Sequence, residues 1–76
     1  MTKAILDQVK INSALKLFSD GQLQKALDLI DTLMVDCPNE SILFNIQGAC
    51  HAELGSFEIA VKSYEQAIVI NPGYAK

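Results

Sequence analysis

The sequence repeats one pattern of glycine, apolar and proline residues at a constant distance of 34 positions. The matching pairs are Gly21 and Gly55, Ala26 and Ala60, Ile30 and Tyr64, and Pro38 and Pro72. A fixed period of this length is typical of chains built from repeated supersecondary units, each of which buries its apolar face against a neighbour. The repeat therefore predicts a single domain over residues 1–76 that contains two similar stacked units.

Within each unit, apolar residues recur every three or four positions, which is the spacing of one face of a helix. The repeated glycines interrupt this pattern, because glycine readily adopts the left-handed conformation that ends a helix. The repeated prolines end each unit, since proline lacks an amide hydrogen and restricts the residue before it. Asn39 and Ser41 are candidate N-caps for the third helix. The prediction is an all-α fold of two stacked antiparallel helical hairpins, with helices at about residues 4–19, 22–36, 40–54 and 57–70.

Composition narrows the classes of partner. Half of the residues are hydrophobic, so some apolar side chains are expected at the surface of so small a domain, where they would bind a partner. Six scattered lysines, no arginine and a net charge of −3 argue against a nucleic-acid partner. No signal-peptide core is present, and no stretch approaches the ~18 apolar residues of a membrane span. We therefore expect a cytoplasmic protein that does not enter the membrane.

The residues that carry chemistry are few and dispersed. Cys37 and Cys50 lack the spacing of a metal site or a disulfide framework. His51 is the single histidine, and it points about 100° away from the adjacent Cys50 on a helix, so the two do not converge on one ion. Carboxylates such as Glu58 and Glu65 are expected on solvated helix faces rather than in a cleft that would shift a pKa. We expect no catalytic residue, no metal site and no cofactor, and hence no enzyme.

The repeat resembles the tetratricopeptide repeats, a family of 34-residue helix–turn–helix units that stack into a right-handed superhelix. The resemblance is strongest in a second unit at about residues 41–74, and the matching residues are Phe44, Gly48, Ala60, Tyr64, Ala67 and Pro72. Gln47 and His51 depart from the family there, because they occupy positions that are usually aliphatic and aromatic. By this resemblance His51 packs between the two helices of its unit.

The first unit, at about residues 7–40, fits the family less well. Ala14 is the counterpart of Gly48, which stands where the family has a small residue that lets the two helices of a unit approach each other. Lys10 and Ser13, however, occupy positions where the family has bulky apolar side chains. Terminal repeats are often atypical in this way, because one side faces solvent rather than a neighbouring unit. The resemblance therefore covers nearly the whole chain and implies an α-solenoid fragment.

The resemblance also implies a concave groove lined by the first helix of each unit, which binds a peptide or protein segment. The groove residues carried over to this chain are Ile11, Asn12, Leu15, Phe18, Asn45, Ala49, Ala52 and Glu53. Three of them, Ile11, Leu15 and Phe18, follow one another at i, i+4 and i+7 and form an apolar stripe. Either the stripe contacts a ligand, with Asn12 and Asn45 bonding the ligand backbone, or it is covered by the chain itself or by a neighbouring copy.

The groove positions lack the basic side chains with which chaperone-binding members of the family bind an acidic C-terminal tail. No such tail is therefore expected to bind this chain. The leading hypothesis is a non-catalytic protein–protein interaction module. An alternative is self-assembly, because the fourth helix ends in a run of apolar residues with no further unit and no polar capping helix after it. The self-association residues would be Tyr64, Ile68, Val69 and Ile70. A further alternative is that the chain is the N-terminal part of a longer repeat array or a regulatory arm of a longer enzyme.

Overall fold

The computed structural model describes residues 3–72, with side chains from residue 5 onwards. Over this range the chain forms four helices and no strand. They are α1 (Lys3–Ser19), α2 (Leu23–Asp36), α3 (Ser41–Glu53) and α4 (Phe57–Ile70). The all-α prediction is confirmed, and every predicted helix boundary agrees with the structure to within one residue. Residues 73 and 74 of the predicted second unit lie outside the described residues.

The two helix–helix turns have the same backbone geometry. Gly21 and Gly55 adopt φ values of 80° and 83°, which L side chains rarely tolerate. The residues that follow them, Gln22 and Ser56, share φ −87° and ψ 67°. In both turns the amides of the glycine and of the next residue donate to carbonyls of the preceding helix at 2.8–3.1 Å, which is the Schellman pattern of a helix C-terminus. The 34-residue period of the sequence is therefore also a period of the backbone.

The start of α3 differs from the expectation. Glu40, rather than Asn39 or Ser41, is the N-cap, and its side chain makes no capping hydrogen bond. The amide of Leu43 instead donates to the Glu40 carbonyl at 3.1 Å. Ser41 is already the first helical residue, so the prediction of a side-chain cap was wrong.

Packing makes α3 the central helix. Helices α1 and α2 form one hairpin, α3 and α4 form the other, and α3 also contacts both helices of the first hairpin. Among the described residues α4 packs against α3 alone. The main core lies where α1, α2 and α3 meet, and its buried residues are Ile11, Ala14, Ala26, Leu27, Ile30, Leu33, Leu43, Ile46 and Cys50. This arrangement places α1 beside α3 and leaves α4 at one end of the stack.

The helices are short relative to a bilayer. None of the four, within residues 3–72, combines the length and apolar content that a membrane crossing requires.

Candidate functional site

A strip of half-buried residues runs along one face of α3. Leu43, Ile46 and Cys50 point into the core, whereas Asn45, Ala49 and Ala52 are only half-buried. Since residues at i, i+4 and i+7 share one helix face, the last three form a single strip along α3. The two alanines make this strip shallow, and Glu53 is exposed at its C-terminal end.

The neighbouring helix α1 contributes fewer exposed groove residues than expected. Leu15 is 39% exposed and Asn12 is also exposed, where its Oδ1 accepts a hydrogen bond from Gln8 Nε2 at 3.2 Å. Ile11 is only 4% exposed and belongs to the core. Phe18 is half-buried and packs against that core. The apolar stripe of α1 is therefore covered largely by the chain itself, and Leu15 is its accessible member. The remaining expected groove residues, Asn12 and Leu15 on α1 and Asn45, Ala49, Ala52 and Glu53 on α3, are called the groove surface below.

An acidic cavity adjoins the groove surface near the N-terminal half of α1. It has a volume of about 260 Å³ and is lined by Asp7, Gln8, Ile11, Cys37 and Glu40. The Cys37 thiol donates a hydrogen bond to Asp7 Oδ2 at 3.3 Å and so ties the start of the α2–α3 connection to α1. Two carboxylates around an apolar floor suit a positively charged side chain that carries an aliphatic stem. Sequence reasoning missed this cavity, because its residues come from two segments that only the fold brings together.

The four residues assigned to self-association do not share one face of α4. Tyr64 and Ile68 are four positions apart and lie on one stripe. Because each residue of a helix is rotated about 100° from the one before it, Val69 and Ile70 lie about 100° and about 200° around the helix from Ile68. Ile68 and Val69 are exposed, and Tyr64 and Ile70 are half-buried. The stripe of Tyr64 and Ile68 continues through Phe57 and Val61, which are 66% and 54% exposed. Sequence reasoning missed these two residues, although they lie 34 positions after Leu23 and Leu27 of the first unit.

One thiol and one imidazole nitrogen are buried in the structure. Cys50 is fully buried, and burial raises the pKa of its thiol. Nδ1 of His51 is also buried, and it has no hydrogen-bond partner among the described residues. Within the same residues, no three side chains of histidine, cysteine, aspartate or glutamate lie close enough to hold a metal ion.

No protein-family model matches the chain, and no solved structure gives a significant match.

Proposed function

We propose that the chain is a non-catalytic protein–protein interaction module that binds a peptide segment on the groove surface. The observation that carries this proposal is the half-buried strip of α3, where the small side chains of Ala49 and Ala52 leave room for a ligand, together with the exposed Leu15 on the neighbouring helix α1. A strip of small side chains lets a peptide backbone approach closely, and Leu15 adds apolar contact at its edge. Asn12, which is exposed, then offers its amide group to the peptide backbone.

The acidic cavity gives the peptide a preferred chemistry. Asp7 and Glu40 carry negative charge at one end of the groove surface, and Glu53 carries it at the other. Electrostatic complementarity selects partners and sets their orientation. The proposed ligand is therefore a segment that presents small or apolar side chains to α3 and a lysine or arginine to the cavity. An acidic C-terminal tail would be repelled by the same charges.

A test begins with a random peptide library displayed on phage and selected against the immobilised chain. Selected peptides are then titrated calorimetrically against the wild-type chain and two variants, Leu15→Asp and Val35→Asp. Both residues are exposed apolar positions, but Val35 lies on α2, which contributes no residue to the groove surface. We expect Leu15→Asp to weaken binding about tenfold or more, equivalent to about 1.4 kcal/mol, and Val35→Asp to leave it unchanged. Equal affinities for both variants would place binding elsewhere.

The charge preference has its own measurement. Glu40→Gln removes one carboxylate from the cavity without a large change in shape, so basic peptides should bind it more weakly and neutral ones should not. We further propose a cytoplasmic location, which is supported by Cys37 and Cys50 being present as thiols rather than as a disulfide. Fractionation of cells that express the protein tests that location.

A further inference from the structure

The exposed stripe of α4 corresponds, 34 residues on, to a stripe of α2 that α3 helps to cover. In α2, Leu27 and Ile30 are buried in the core that also contains Leu43, Ile46 and Cys50 of α3. Leu23 and Met34 pack against the same core. The equivalent positions in α4 are Phe57, Val61, Tyr64 and Ile68. Phe57, Val61 and Ile68 are 66%, 54% and 44% exposed, because no helix of the described chain lies across them.

The opposite end of the stack exposes a second apolar surface, on α1. Ile5, Leu6 and Val9 are 53%, 44% and 51% exposed. Val9 lies 34 positions before Leu43, which is fully buried, like Cys50, where α3 packs on the first hairpin. At the outer end of the stack, helix α1 therefore carries an exposed apolar residue, Val9, at the position that Leu43 occupies where α3 packs on the first hairpin.

We propose that copies of the chain associate head to tail, with α1 of one copy packing on the α4 stripe of the next. This contact would have the same geometry as the packing of α3 on α2 within one copy. The internal α2–α3 joint is the template for this contact, since both of its partners recur at the two open ends of the molecule. The assembly goes beyond the proposed peptide binding, because it uses the ends of the stack and shares only Asn12 with the groove surface.

Two polar residues make the proposed contact weaker than its template. Asn12 and Lys16 stand in α1 where α3 has Ile46 and Cys50. The cost is reduced by charge, because Lys16 would approach an α4 surface on which Glu58 and Glu65 are exposed next to the stripe. A contact between two different surfaces is heterologous, so it forms open chains or closed rings instead of being limited to a dimer. We expect reversible assembly that grows with protein concentration.

Complementary variants test the proposal on the full chain. Val9→Glu blocks the α1 surface, and Val61→Glu blocks the α4 stripe, each at an exposed position that folding does not require to be apolar. Light scattering should show the wild type growing with concentration beyond its chain mass of 8.3 kDa. Each variant alone should remain a monomer. An equimolar mixture should form a heterodimer of twice that mass, because the Val9→Glu copy retains its α4 stripe and the Val61→Glu copy retains its α1 surface.

Three outcomes would overturn the proposal. They are a monomeric wild type at every concentration, a mixture that stays monomeric, and assembly of the Val9→Glu variant alone, which would indicate a symmetric contact between two α4 helices. Val35→Glu is the matched control and should assemble like the wild type. Circular dichroism checks the fold, and if Val61→Glu loses helicity, Phe57→Glu blocks the same stripe. Retained peptide binding by both variants would separate this assembly from the groove function.

Discussion

The ring of Tyr64 on α4 lies directly against the backbone of Gly48 on α3. A methyl group at position 48 would come within 2.9 Å of Tyr64 Cε1 and 3.0 Å of Cδ1 and Cζ, closer than carbon atoms approach without displacement. In the first hairpin the equivalent positions hold Ala14 and Ile30, both fully buried. The two hairpins thus pack residues of different size at the same position. The first hairpin pairs an alanine with an isoleucine, and the second pairs a glycine with the larger tyrosine.

This relationship predicts that Gly48→Ala destabilises the chain. Alanine gains about 1 kcal/mol over glycine inside a helix, but displacing a packed ring costs about 1–3 kcal/mol. We expect a net loss of about 1 kcal/mol in the free energy of unfolding, measured by urea denaturation. The double variant Gly48→Ala with Tyr64→Ile recreates the pair of the first hairpin, so its loss should be smaller than the sum of the two single losses. Additive losses would mean that the ring and the glycine do not interact.

The elements of the fold were predictable because their signals are local. The left-handed conformation at Gly21 and Gly55, and the end of α2 before Pro38, depend on the residues themselves and on their nearest neighbours. The choice of a small residue at position 48 was also expected. Its physical reason, the ring of Tyr64, depends on how α4 crosses α3.

The candidate site was predicted less completely than the fold. The spacing of apolar residues on a helix face is the same whether a ligand or the protein itself covers that face. Ile11 and Phe18 have the spacing of a ligand-binding stripe, yet the position of α3 places the first inside the core and the second against it. Phe57 and Val61 show the converse. Their exposure follows from the absence of a covering helix among the described residues, which no local pattern in α4 reveals.

A partly buried hydrogen bond connects α4 to α3. Ser63 is 6% exposed, and its hydroxyl donates to Gln47 Oε1 at 3.0 Å. Gln47 Nε2 also reaches the sulfur of Met34 on α2, at 4.0 Å. Ser63→Ala should lower the free energy of unfolding by about 1 kcal/mol, because it leaves a partly buried carbonyl oxygen without its donor. Chemical denaturation measures the loss.

A second substitution distinguishes hydrogen bonding from packing at this pair. Adding Gln47→Leu to Ser63→Ala removes both polar groups together, which can be nearly neutral. The double variant should therefore be more stable than Ser63→Ala alone. A further drop in stability would show that the glutamine contributes mainly through its contact with α2.

Burial of Cys50 makes stability depend on alkaline pH. Because burial raises the pKa of this thiol in the folded chain, the unfolded thiol ionises first, at about pH 8.5. The unfolded state thus releases its proton at a lower pH than the folded state. The contribution of the protonated Cys50 thiol to the free energy of unfolding is complete below about pH 8.5, and it is lost as the pH rises through the pKa of the folded chain. Urea denaturation at increasing pH should show this decline, and Cys50→Ala should have a flatter profile despite lower stability at neutral pH. Parallel profiles would assign the decline to other groups.

His51 places a ring nitrogen where the second hairpin offers it no partner. Its Nδ1 is buried without a hydrogen bond among the described residues, and a buried unsatisfied polar group costs about 1–3 kcal/mol. Phenylalanine has a similar ring and a similar helix propensity but no such nitrogen. His51→Phe should therefore raise the free energy of unfolding by about 1 kcal/mol, which in a domain of this size corresponds to a rise of roughly 4–8 °C in Tm. His51→Ala is the control, and it should be less stable than the wild type because it removes the ring together with the nitrogen. A His51→Phe variant that melts below the wild type would show that the nitrogen is satisfied, and that the histidine is retained for its hydrogen bonding rather than for its shape.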